Sequence, residues 1–104
     1  MDKVEFTITQ LSGAPDAKFE AAGYIAFDTA GQFEKALKDS FQEEPESITV
    51  DMEKVVVFTS VAVRVVLKTY KNAKENGIEF QIENPSDIVR NVLKLSNLDT
   101  MLLK

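Results

Sequence analysis

Hydrophobic periodicity switches repeatedly between two and 3.6 within 104 residues, and this constrains the fold more than any other feature. Val4, Phe6 and Ile8 alternate with Glu5, Thr7 and Thr9, the pattern of a half-buried strand. Gly13-Ala14-Pro15-Asp16 supplies turn chemistry. A second strand is expected over 17–27, with Phe19, Ala21 and Ile25 on its apolar face. Its alternation breaks at Gly23, which marks a bulge or a close backbone approach. Ala30, Phe33, Leu37 and Phe41 then follow at helical spacing, after a Thr29…Gln32 capping box. Glu43-Glu44-Pro45-Glu46 should stop that helix.

The second half repeats this alternation. An apolar run over 47–52 reads as a buried strand ending near Asp51. The segment 55–74 is ambiguous at its start, because Val55-Val56-Val57-Phe58 suits a strand and Val61, Val63 and Val65 also alternate. Its polar residues decide for a helix. Arg64, Lys68, Lys71 and Glu75 share one face, opposite Ala62, Val65, Val66, Thr69, Tyr70 and Ala73. Thr59 or Ser60 would cap its start and Asn76-Gly77 its end. A strand over 78–83 and a helix capped by Ser86 follow, with Asn97 as a left-handed stop. A last strand is expected over 100–103. The order ββαβαβαβ implies an α/β fold with a mixed, largely parallel sheet packed with helices, as a single domain over 1–104.

Chemistry is constrained by what is missing. The chain has no cysteine and no histidine, so thiol chemistry, the usual neutral-pH base and the commonest metal ligand are all absent. The four glycines are scattered and form no phosphate-cradling loop. Glu43, Glu44 and Glu46 read as a solvated acidic loop, and Asp51 as a turn acceptor. No metal site, cofactor or catalytic set is expected. A net charge of −5 opposes nucleic-acid binding, and the Arg64–Lys74 face lacks an aromatic for stacking. No apolar run reaches membrane-spanning length, and the start has no signal-peptide layout, which points to a cytoplasmic protein.

The segment around the ambiguous helix carries a family resemblance. Val50-Asp51-Met52, then Thr59-Ser60-Val61-Ala62-Val63, then the helix to Gly77, then Ser96-Asn97-Leu98, fall in collinear order. Gly23-Tyr24-Ile25 and Asp28-Thr29-Ala30 precede them. This arrangement resembles the STAS domain, the fold of bacterial anti-sigma factor antagonists. In typical members, a Leu-Asp-Leu-type strand end leads into Asp-Ser-Ser-Gly-Leu at the start of a helix. The second Ser is the site that a partner kinase phosphorylates.

Here the phosphosite-equivalent region is Thr59, Ser60, Val61 and Ala62, and Val61 stands at the phosphorylated position without a hydroxyl. The resemblance implies a partner-binding surface formed by Asp28, Thr29, Phe58, Thr59, Ser60 and Arg64. It implies an anti-sigma factor of the serine-kinase type as partner, in transcription regulation or signalling, with no switch at the usual atom. The alternative is an accessory subunit that binds the ATPase of a lipid transporter. A small-molecule sensor has no phosphate loop to support it, and an enzyme has no nucleophile–base pair. Family members often end in a further helix after the last strand, which the resemblance does not extend to here, so either the domain is minimal or a partner or a second copy covers that surface.

Overall fold

The structure is a computed structural model that describes residues 5–103. Its strands are β1 (Thr7–Ser12), β2 (Asp16–Ile25), β3 (Ser47–Phe58) and β4 (Glu79–Glu83). Its helices are α1 (Ala30–Ser40), α2 (Ser60–Glu75), α3 (Asp87–Leu95) and α4 (Asp99–Leu102). The strands form one sheet in the order β1-β2-β3-β4. β1 runs antiparallel to β2, and the other pairs are parallel. The mixed sheet expected from the alternating periods is therefore present. The Val4 position of the expected first strand lies outside the described residues.

Burial follows the period-two pattern. In β2, Ala17, Phe19, Ala21 and Ile25 are buried, while Lys18, Glu20, Ala22 and Tyr24 between them are half-buried. Ile48, Val50 and Met52 of β3 and Phe80 and Ile82 of β4 continue the core face. Phe33 and Leu37 of α1, Val66 of α2, and Val89 and Leu93 of α3 are fully buried with them. Phe6 adds an edge-to-face contact with Phe33, ring centroids 6.1 Å apart. The other sheet face is polar, crossed by Lys18–Glu83 at 2.7 Å and by Gln81 donating to Thr49 at 3.3 Å. Asp51 sits there as the expected acceptor, taking hydrogen bonds from the Glu53 amide and the Asn84 side chain.

β3 corrects the sequence reading, which ended a strand near Asp51. It runs unbroken to Phe58 because two register shifts each insert one extra residue opposite β2. One lies between Asp51 and Lys54, the other at Val56. Such bulges destroy simple alternation while keeping the strand paired. Gly23 faces the second shift and shows both features that a strand glycine signals. Its φ is +89°, and a Cβ there would lie 1.8 Å from the Glu5 carbonyl oxygen.

The expected strand over 100–103 is replaced by α4 and a single parallel bridge from Leu103 to Ile82. Leu98 and Leu102 are both buried, so spacing by four, one helical turn, governs this segment. The helix stops hold as expected. Gly77 (φ +69°) and Asn97 (φ +58°) each close a helix by the paired bonds of a Schellman motif. Ile78 N–H donates to Ala73 C=O and Leu98 N–H to Leu93 C=O, both at 2.8 Å. Ser86 caps α3 by accepting from the Val89 amide. α1 ends at Ser40 rather than at the acidic loop, and a short 3-10 turn, Phe41–Glu43, completes it.

Candidate functional site

The C-terminal ends of the parallel strands β2 and β3 lie side by side, with Ile25 paired to Phe58. This is where α/β proteins present their loops. The chain leaves β2 through Ala26-Phe27-Asp28-Thr29 into α1, and leaves β3 through Thr59 into α2. Thr59 joins the two exits. Its amide (3.1 Å) and its hydroxyl (3.2 Å) both donate to the Ile25 carbonyl. Thr59 occupies the N-cap position of α2 as expected, but its side chain accepts no helix amide. The hydroxyl serves the strand exit instead.

Thr29 shows the same inversion. It precedes α1 in helical conformation, and the expected capping box does not form. Its hydroxyl accepts from the Ala26 amide and donates to the Tyr24 carbonyl, both at 2.9 Å. That pair of bonds rigidifies the β2–α1 turn. Asp28 is exposed beside it and accepts from the Tyr24 hydroxyl at 2.6 Å.

The eight sequence-derived residues therefore separate into two layers. Phe58 (4% exposed) and Ala62 (0%) lie in the core, and Thr29 is buried. These three position the surface rather than form it. Asp28, Ser60 and Arg64 are exposed, and Val61 and Thr59 are half-buried. Sequence reasoning missed Phe27, which is 87% exposed in the turn that Thr29 braces. It also missed Val57, 39% exposed and paired with Tyr24. The signal for Phe27 was its place after Ile25 in β2, which puts it on the apolar side of a strand the turn has already ended.

The α2 start carries no acidic residue in its first turn, and Arg64 stands one turn in. The positive end of the helix dipole is thus uncompensated by side chains of its own first turn. Among the described residues, no group of His, Cys, Asp or Glu is placed to hold a metal ion. The basic face of α2 is tied to α1, Lys68 donating to Glu34 at 2.9 Å. That contact holds the Glu34 carboxyl below its ordinary value, chiefly through the hydrogen bond. No helix of the described residues is long and apolar enough to cross a membrane.

Solved structures share this fold. An anti-sigma factor antagonist from Mycobacterium paratuberculosis superposes with a TM-score of 0.79 at 23% identity, over 95% of this chain and 85% of that one. The anti-sigma factor antagonist SpoIIAA in its unphosphorylated form gives 0.80 at 19% identity, over 96% and 86%. The phosphorylated form of the Bacillus cell fate determinant SpoIIAA gives 0.74 at 18% identity, over 96% and 89%. These likenesses establish the fold. No curated protein matches the sequence. The STAS domain family model matches residues 4–104, and the chain belongs to that family.

Proposed function

We propose that residues 1–104 act as one non-enzymatic interaction module that binds a protein partner through the α2 start and the braced β2–α1 turn. The observation that carries this reading is Phe27, 87% exposed on a turn that Thr29 hydrogen-bonds into place, at a strand exit that Thr59 ties to the start of α2. An exposed aromatic at one strand exit, with a half-buried valine and an exposed arginine on the helix that leaves the neighbouring one, is a composition that anchors protein interfaces. Asp28 and Arg64 supply charges of both signs at its rim.

The partner is an anti-sigma factor of the serine-kinase type, bound in the cytoplasm. Similarity to anti-sigma factor antagonists supports this choice. Val61 presents an apolar group where a phosphate would add about −1.5 to −2 charge. Binding is therefore constitutive with respect to that position.

Affinity capture from lysate of the cells that make the protein tests the reading, with wild type beside Val61→Asp. Wild type retains the kinase-type anti-sigma factor, and Val61→Asp loses it by at least about tenfold in affinity, a change of about 1.4 kcal/mol. Retention of a transporter ATPase instead establishes the accessory-subunit alternative. Equal capture by both forms removes the α2 start as the interface.

A further inference from the structure

Asn76-Gly77, which closes α2, is the one place in the chain where an asparagine precedes a glycine. That pairing has a covalent chemistry of its own. The backbone nitrogen of the following residue attacks the asparagine side-chain carbonyl carbon, and glycine leaves this nitrogen unshielded because it has no Cβ. The other four asparagines are each followed by a residue that hinders the step. Ala73, Val92 and Leu98 carry side chains beside the nitrogen, and Pro85 has no N–H to lose.

The fold puts the pair within reach of solvent. Asn76 and Gly77 are both exposed. Gly77 has φ +69°, and nothing lies within 4 Å of where a Cβ would stand. Few bonds hold the reacting groups. Gly77 N–H donates to Lys74 C=O at 3.3 Å, a long contact. The Asn76 side-chain amide donates to Asn72 C=O at 2.7 Å and to Asn72 Oδ1 at 3.1 Å. Helix ends open locally at far lower cost than the core, so these bonds break without global unfolding.

We propose that Asn76 is a site of spontaneous deamidation and that Asn72 sets its rate. The Gly77 nitrogen gives its proton to solvent hydroxide and bonds to Asn76 Cγ. The Cγ–Nδ2 bond breaks, and that nitrogen leaves as ammonia. Water then opens the cyclic imide at either carbonyl, leaving aspartate or isoaspartate. The product adds one negative charge to a chain already at −5. That charge falls at the C-terminal end of α2, where the helix dipole disfavours an anion. Asn76 also lines a surface cleft with Glu44, so the new carboxylate meets a like charge. The isoaspartate form adds a backbone methylene just before Gly77, out of register with the 2.8 Å bond from Ile78 N–H to Ala73 C=O. Deamidation therefore loosens the turn that joins α2 to β4. It acts at the far end of α2 from the proposed binding surface and does not depend on the partner.

Peptide mapping by mass spectrometry on the full chain, kept folded at mildly alkaline pH, tests the proposal, with enzymatic isoaspartate labelling as a second readout. Wild type accumulates aspartate and isoaspartate at position 76 ahead of the other asparagines, and faster as pH rises. Asn72→Ala, shown to be folded by far-UV circular dichroism, reacts about two- to tenfold faster, the extra opening that loss of one hydrogen bond allows. Asn76→Asp unfolds at lower urea than wild type. An Asn76 that stays intact in the folded chain, after the same chain unfolded in urea has reacted, overturns the site. Equal rates in Asn72→Ala and wild type overturn the role of Asn72. An Asn76→Asp variant as stable as wild type overturns the loosening of the turn.

Discussion

Two threonines placed at helix starts turn out to brace strand exits. Sequence rules assign Thr29 and Thr59 to capping, because a hydroxyl before a helix satisfies a free amide. In the folded chain both hydroxyls point back to β2, to the Tyr24 and Ile25 carbonyls. The identity of the residues was legible, and the direction of their bonds was not, since it depends on how β2 and β3 end side by side. The Thr59 bond has a measurable consequence. Thr59→Val keeps the shape and removes the hydroxyl donor to Ile25 while the amide donor stays, and urea denaturation should show a loss of about 0.5–1.5 kcal/mol. Thr59→Ser should stay near wild type. An unchanged stability for Thr59→Val would mean that the hydroxyl does not hold the two exits together.

Elements with one clean period were readable and those with mixed periods were not. α2 was identified by its polar residues, and its buried set, Ala62, Val65, Val66, Thr69 and Ala73, agrees with the expected stripe. β3 was shortened because its two bulges break the alternation that reveals a strand. The segment after Asn97 was misread because Leu98 and Leu102 sit one turn apart, a spacing too short to distinguish from alternation. The contact between α1 and α2 gives a pH-dependent prediction. Glu34 is held below its ordinary value by Lys68, so its contribution is present above the unfolded carboxyl pKa of about 4.3. That contribution is lost as pH falls through the lower folded value. The pair is largely exposed, with side-chain exposures of 68% and 35%, so it contributes no more than about 1 kcal/mol. Glu34→Gln should be less stable than wild type at pH near 7 by that amount, and the gap should close in acid. A gap that persists in acid would assign the effect to packing rather than to the ion pair.

At the scale of the whole molecule, the fold was far more legible than the site. Alternating periods specify a mixed sheet with helices, and the parallel order of β2, β3 and β4 follows from the connections. The site depends on which residues of a short segment reach the surface, and the sequence places Phe58, Ala62 and Thr29 there although all three are buried. Phe27 escaped notice for the opposite reason, because an aromatic after a strand is expected to be inside. The surface that results stands on a turn held by the Thr29 and Thr59 hydroxyls. It combines one exposed aromatic, Phe27, with a helix start at which Val61 is half-buried.

The most direct test of this account is amide hydrogen exchange on the full chain, alone and saturated with the captured partner. Protection is expected to concentrate at residues 26–29 and 59–64, where the braced turn and the α2 start meet. Protection elsewhere with none at these two segments would contradict the assignment of this surface as the binding site.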